Sequence, residues 1–289
     1  MKKRALVTGG SADQVAAIAT FVINIKETNP NLADEIVIFH DGIKKSDQKR
    51  IQKIFPTRFI YYDSPFKQTD KFGAVVTEYF SLMVFCKYEC LKLLSEYSAV
   101  MWSDYDVVVQ DKLDELFEYN NKPLKLMTFL STEKQLYNAV SEYDMEFLAM
   151  YAALFVFFDT LSDPEKLYSF CIEKTIQYAD NLFCPEQAIF SFMLQEFKIP
   201  FDIIETDIYV VHPTNTELLN QAKILHAYGH PKFWNGLHND MWEKYYSQWI
   251  KLGGTKHPDR QTKLDRFINR NKMRFVKYII NPIFKRNTK

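Results

Sequence analysis

The chain has 289 residues, 47% of them hydrophobic and 16% aromatic, with only 8 glycines. Such a composition supports a sizeable core and excludes a disordered or loop-dominated protein. The net charge is zero but unevenly divided: from Lys256 onward 11 Lys/Arg stand against 2 Asp/Glu, leaving 25 against 34 in residues 1–255. An acidic body with a basic tail points to two different partners.

Residues 5–7 read as a buried strand, broken by Thr8-Gly9-Gly10-Ser11. Residues 13–26 read as a helix with Val15, Ile18, Ala19, Val22 and Ile25 on one face and Ser11 or Asp13 as its cap. A second strand over 35–40, a helix over 46–54 and a third strand over 59–62 follow. This alternation predicts a parallel sheet with helices on both faces, which binds ligands beyond the carboxyl ends of its strands. Gly9-Gly10 lets a ligand approach the backbone closely. The Gly-x-Gly-x-x-Gly fingerprint and the Walker ending are both missing, which excludes dinucleotide and P-loop readings. Residues 74–95 are read as one long helix burying Tyr79, Leu82, Met83, Cys86, Cys90, Leu93 and Leu94, with Lys87 solvated off the centre of that stripe.

Residues 100–109 carry the strongest local signal. An apolar strand runs into Asp104-Tyr105-Asp106 and a second apolar strand follows. Positions i and i+2 of a strand point to the same side, so Asp104 and Asp106 converge if they sit at the strand end. Two like charges forced together need something positive between them. Carboxylates suit Mg²⁺ or Mn²⁺. Farther on, the pattern predicts a short helix over 112–119, a strand over 126–129, and an apolar segment over 147–158 whose register stays open. A helix over 163–178 comes next, then a helix start at Pro185-Glu186 and strands over 203–204 and 208–211. The stretch from His226 through Gly229 and Lys232 to Trp234 gathers functional residue types in one loop. His226, behind an apolar pair, is the candidate to project into a site. His40, His212, His230, His238 and His257 are read as satisfied structural residues.

Cys86, Cys90, Cys171 and Cys184 lack metal-type spacing and read as reduced, near-core residues. The N-terminus has no signal-peptide core. The longest apolar run falls short of the ~20 residues that span a bilayer. A cytosolic protein, or one at a membrane surface facing the cytosol, is expected.

Asp104-x-Asp106-Val107-Val108-Val109, followed by Leu113-Asp114-Glu115-Leu116, resembles the metal-binding signature of family 8 glycosyltransferases. His226-x-x-Gly229-x-x-Lys232-Phe233-Trp234 is similar to that family's late H-x-x-G-x-x-K-P-W motif, with Phe for Pro. Phe85-Cys86-Lys87 resembles its Tyr-x-Arg segment and Pro185-Glu186-Gln187-Ala188 its D-Q-D segment. The resemblance spans about residues 4–240. It implies an α/β, Rossmann-like GT-A fold with a mixed, mainly parallel sheet flanked by helices. The glycosyltransferase domain would occupy 1–250, with a nucleotide-binding half over about 1–110 and an acceptor half over about 111–250. A helical, basic tail would occupy 251–289.

By that resemblance Asp104, Asp106 and His226 would hold Mn²⁺ (or Mg²⁺) against the diphosphate of a UDP-sugar. Thr8, Gly9, Gly10 and the following Ser11 to Gln14, Asp13 among them, would face uridine and ribose. Tyr105 would lie between the two acids on the donor. Gly229 and Lys232 would close over the diphosphate, and Lys87 would take the place of the donor-contacting Arg. Gln187 matches the residue beneath the anomeric carbon and Glu186 the acid before it. These imply a hexosyltransferase that retains configuration and acts on a glycan or glycolipid acceptor in bacterial surface polysaccharide or lipooligosaccharide synthesis. An inverting transferase with Glu186 or another carboxylate as base, or an inactive nucleotide-binding scaffold with a membrane tail, are the alternatives. Ser11-Ala12-Asp13-Gln14 departs from the family's D-x-N-Y. Ala188 replaces the second Asp of D-Q-D, and Tyr151-Ala152-Ala153 replaces Asn-Ala-Gly, so the donor sugar stays open.

The tail alternates basic residues with Leu264, Phe267, Ile268, Phe275 and Ile279 on one helical face. Such a segment suits an anionic membrane surface, giving a peripheral protein at the inner face of the plasma membrane. No nucleic-acid recognition motif accompanies the charge, so nucleic acid is not an expected partner.

Overall fold

The computed structural model describes residues 3–262. In chain order the strands and helices are β1 (Lys3–Gly10), α1 (Val15–Thr28), β2 (Glu35–His40), α2 (Lys45–Gln52), β3 (Thr57–Tyr61), α3 (Glu89–Leu93), β4 (Tyr97–Ser103) and β5 (Val107–Val109). They continue with β6 (Leu124–Ser131), β7 (Leu148–Phe158), α4 (Pro164–Gln177), α5 (Pro185–Glu196), β8 (Phe201–Ile203), α6 (Thr206–Tyr209), β9 (Ile224–His226) and α7 (Asp240–Lys251).

Seven strands form one sheet in the order β3-β2-β1-β4-β7-β6-β8. The β3-β2-β1-β4 half is parallel, β7 runs antiparallel to β4 and β6, and β8 is parallel to β6. The apolar 147–158 segment is therefore the long strand β7, in the sheet's interior, with Trp102 opposite Phe155. Burial on both faces explains its unbroken apolar run, which hides any period of two. One face is covered by α1, α2 and α7, the other by α3, α4 and α5. Along α1 every residue from Val15 to Ile25 is buried, because α7 packs over it from the side away from the sheet. Each large side chain so enclosed, such as Phe21 or Ile25, contributes about 1.5–3 kcal/mol. The start of α1 is a 3-10 turn, Ala12–Gln14, without a side-chain cap; Ser11 Oγ donates instead to Asp13 Oδ1.

A separate two-stranded ribbon, β5 with β9, stands beside the sheet. It is pinned to α1 by Asn24, whose amide donates to Val109 O at 2.9 Å and accepts from Val109 N at 2.7 Å. Asn29 repeats the device one turn on, bonding Asp111 O and Leu113 N. The ribbon's position is thus set by buried side-chain amides that substitute for a strand neighbour.

Two elements differ from their sequence reading. Residues 74–95 are not one helix. A π-helical turn, Val75–Phe80, ends at Ser81 (φ +61°), a 3-10 segment covers Leu82–Tyr88, and only Glu89–Leu93 is α-helical. The break rotates the register, so Tyr79 is 54% exposed while Lys87 is buried. Residues 208–211 are not a strand. The chain turns through α6, and only Val211 bridges to Leu225. The β-branched run is satisfied by burial beside the ribbon, a tertiary effect that outweighs local propensity.

Candidate active site

The ribbon brings the two distant motifs together. Val107 pairs with His226, and Ala227 N donates to Asp106 O at 2.9 Å. At the end of β4, Asp104 N donates to Ala153 O at 2.9 Å. His226 Nε2 then lies 3.1 Å from Asp106 Oδ1 and 3.9 Å from Asp104 Oδ2. One ligand atom from each of the three side chains lies within 4.8 Å of the others. Two hard carboxylates and an imidazole suit Mn²⁺ or Mg²⁺ better than a thiophilic ion. Burial works to raise the pKa of Asp106, but His226 and Lys232 outweigh it and hold the carboxyl well below the ordinary range. The Lys232 ammonium touches the second Asp106 oxygen and donates to Ala227 O at 2.8 Å. The ring nitrogen His226 Nδ1 is buried without a partner among the described residues.

Lys87 completes the arrangement from the opposite side. Its ammonium lies 2.8 Å from Glu186 Oε1 and 3.3 Å from Asp104 Oδ1, and 5.5 Å from the centre of the Trp102 ring. The solvated reading of Lys87 is therefore corrected: its side chain is 8% exposed. Burial lowers its pKa, yet Asp104 and Glu186 more than offset this and the ammonium stays charged. For Glu186 burial dominates and raises the pKa against the pull of Lys87. Trp102 Nε1 donates to Asp104 Oδ1 at 2.8 Å and fixes that carboxylate. Glu186 and Gln187 come from the first turn of α5, where Pro185 opens the helix.

These groups line one cavity of about 560 Å³. Gly9, Gly10 and Asp13 form its wall at the end of β1, and Asp104, Tyr105 and Asp106 its floor. Lys87, Glu186 and Gln187 lie on one side, with His226, Gly229 and Lys232 on the other. Thr8 is the exception: it is fully buried, does not line the cavity, and its hydroxyl has no partner among the described residues. A Cβ on Gly10 would lie 2.9 Å from the Tyr105 ring, so glycine permits that ring to pack against β1. Tyr105 stacks on Trp234 at 6.2 Å, and burial, then Asp106 and Asp104, pushes its phenol pKa far up. Gly229 takes φ +69°, a conformation that bends the loop back and favours glycine.

The sequence reading missed several lining residues. Tyr79, Phe80 and Ser81 reach the rim through the helix break, and His230 and His257 also face the cavity. No local signal marks His257, because residues far apart in sequence enclose it. A second cavity of about 370 Å³, largely apolar and edged by Phe129, Leu130 and His212, shares Tyr151, Gln187 and Tyr228 with the first.

A sheet of this topology, with an acid pair and a histidine gathered beyond the carboxyl ends of its parallel strands, is the GT-A architecture of a glycosyltransferase. The chain belongs to glycosyl transferase family 8, which it matches over residues 6–238. Similar solved structures include an active-site mutant of LgtC, at 14% identity and a TM-score of 0.68 over 87% of this chain and 97% of that one. The galactosyltransferase LgtC in complex with donor and acceptor sugar analogues gives 15% identity and a TM-score of 0.61, covering 88% and 97%. The glycosyltransferase GlyE of Streptococcus pneumoniae TIGR4 gives 18% and 0.58, covering 90% and 67%. At these identities the likeness establishes the fold. No curated protein matches the chain in sequence.

Proposed function

We propose that this glycosyltransferase moves a hexose from a UDP-sugar to a glycan or glycolipid acceptor with retention, using Mn²⁺ or Mg²⁺ held by Asp104, Asp106 and His226. The observation that carries this reading is the convergence of those three ligand atoms within 4.8 Å in the cavity that Lys87 and Lys232 also line. A divalent cation there supplies Lewis-acid neutralisation of the leaving diphosphate. Lys232 adds a charge-assisted hydrogen bond to the same charge as it develops, where electrostatic stabilisation is most effective. Lys87, fixed between Asp104 and Glu186, orients the donor sugar.

Gln187 stands where the two cavities meet, which supports a donor in the larger and an acceptor in the smaller. The similar galactosyltransferase LgtC was solved with both a donor and an acceptor sugar analogue, in keeping with two sugar ligands on this fold. An amide is a poor nucleophile. Attack from the leaving-group face, with Gln187 stabilising the oxocarbenium-like centre, accounts for retention. A Gln187→Ala enzyme with full turnover and unchanged donor affinity would remove that role. In the cell the reaction would serve bacterial surface polysaccharide or lipooligosaccharide synthesis, at the cytoplasmic face of the plasma membrane.

The test is a panel of nucleotide sugars assayed with and without Mn²⁺, the product anomer being read by NMR. UDP-sugar turnover that needs the cation and keeps the anomeric configuration is expected. Metal-independent turnover, or an inverted product, refutes the reading.

A further inference from the structure

One wall of the cavity is completed by a segment beyond the family match. His257, Pro258 and Asp259 fold back from α7 and line the same cavity as Gln14. His257 is only 2% exposed and held on all sides. Its ring lies 5.0 Å from Trp234, and its backbone N donates to Tyr246 Oη at 3.3 Å. Arg260 locks the turn by donating to Phe233 O, Trp234 O and both oxygens of Glu243.

The hydrogen bonds around this ring settle its tautomer. Asp259 N donates to His257 Nδ1 at 3.2 Å, so Nδ1 carries no proton. The proton sits on Nε2, which lies 3.2 Å from Gln14 Oε1 and donates to it. Burial pushes the ring's pKa down and keeps it neutral. The carbonyl end of the Gln14 amide is thereby engaged. Its NH₂ end has no partner among the described residues, and the side chain lines the cavity. The carboxylates of Asp13 and Asp259 line the same region. They repel phosphate and accept from hydroxyls, so the nucleoside end of a ligand lies here and the diphosphate lies at Lys232.

We propose that His257 is a positioning residue for nucleotide recognition: it fixes the Gln14 amide so that two N–H donors face the cavity and bind a carbonyl of a uracil base. The inference rests on the nucleotide-donor reading above and adds His257, which sets the end of the Gln14 amide that meets the base.

Calorimetric titration of the full-length protein with Mn²⁺ and either UDP or inorganic pyrophosphate tests it. Gln14→Ala and His257→Ala should each weaken UDP about tenfold, the scale of one hydrogen bond, and leave pyrophosphate unchanged. His257→Gln places an amide N–H near the Nε2 position and should restore UDP affinity to within about twofold. Equal UDP affinity in a folded His257→Ala protein overturns the proposal. So does parallel weakening of UDP and pyrophosphate, or absence of rescue by His257→Gln. Should His257→Ala fail to fold, Gln14→Ala decides alone, because Gln14 is half-exposed at a helix start. A wild-type protein that binds pyrophosphate but no UDP would sink the nucleotide-donor reading itself, a result distinct from the variant outcomes.

Discussion

His226 Nε2 lies 3.1 Å from Asp106 Oδ1 although 120 residues separate the two. A three-residue ribbon makes that contact, and the ribbon in turn hangs on Asn24 and Asn29 of the first helical segment. The candidate metal site is therefore assembled by three stretches of chain, none of which is a site by itself.

The first prediction concerns this assembly. Asp106→Asn keeps the shape of the side chain but removes its charge and turns one of its two acceptor oxygens into a donor. His226→Ala removes a ligand. Changes one step outside a metal's ligand shell already cost 10–100-fold, so each of these should lower kcat/KM by about 100-fold or more. Mn²⁺-dependent UDP binding should fall in parallel. Full activity of either variant across a Mn²⁺ titration would remove the pair from the chemistry.

Much of this site was legible in the sequence. Asp104 and Asp106 announce themselves by spacing, and His226, Gly229 and Lys232 by their shared loop. The parallel half of the sheet follows from alternating periods. The Lys87–Glu186 pair was not legible. A regular helix over 74–95 puts Lys87 on a solvated face, and only the family resemblance carries it to the donor; the break at Ser81 changes the register. A positive φ at a serine is set by packing, not by local preference. His257 was hidden for a related reason: its partner, Gln14, lies 243 residues away. The strand expected over 208–211 failed because β-branched residues fit any half-buried surface.

Lys87 yields a stability prediction. Its partner Glu186 is 1% exposed, so Lys87→Met leaves a carboxylate buried and uncompensated. Removing one member of a buried pair costs about 3–5 kcal/mol. Lys87→Met/Glu186→Gln, which removes both charges, should recover a substantial part of that. The pKa of Glu186 is already raised by burial, and loss of Lys87 raises it further. The single variant should therefore lose less stability at about pH 5 than at about pH 7.5, since protonation relieves the stranded charge. Urea unfolding of the three proteins at both pH values checks this. A Lys87→Met protein as stable as wild type would show the pair to be exposed in solution.

The buried histidines predict an acid-sensitive fold. His40 Nδ1 accepts from Gly42 N and Ile43 N, both at 3.1 Å, and burial, then Lys45, depresses its pKa below 6.5. His257 is depressed by burial as well. As pH falls through about 6.5 the unfolded chain takes up these protons before the folded one does. Their contribution is fully present above that value and is lost progressively below it, toward the folded pKa values. The depressed pKa of Asp106 acts lower, with loss beginning only below about 4. Urea midpoints should therefore drop between about pH 7.5 and 5.5. His40→Asn offers an uncharged acceptor near the Nδ1 position and should reduce that drop. An identical drop in wild type and variant would clear His40 of the effect.

The last prediction concerns the membrane. The amphipathic stretch lies almost wholly outside the described residues, so its role is tested by where the chain is cut. A cut after Gly254 would be uninformative. Thr255 Oγ1 donates to Asp47 Oδ2 at 2.6 Å, His257 contacts Gln14, and Arg260 pairs with Glu243, so the body itself would be damaged. A cut after Thr262 spares those contacts and still removes 9 Lys/Arg and 1 Asp. Among the described residues no helix is long and apolar enough to cross a membrane. Attachment through the basic tail is proposed to be electrostatic, at ~1 kcal/mol per basic residue near an anionic surface. Sedimentation with phosphatidylserine vesicles should capture the full chain at low salt, release it as salt rises, and fail to capture the chain ending at Thr262. Turnover of a UDP-sugar on a water-soluble acceptor should be the same for both. If the shortened protein still sediments, the binding surface belongs to the acidic body, and the uneven charge of the chain needs another explanation.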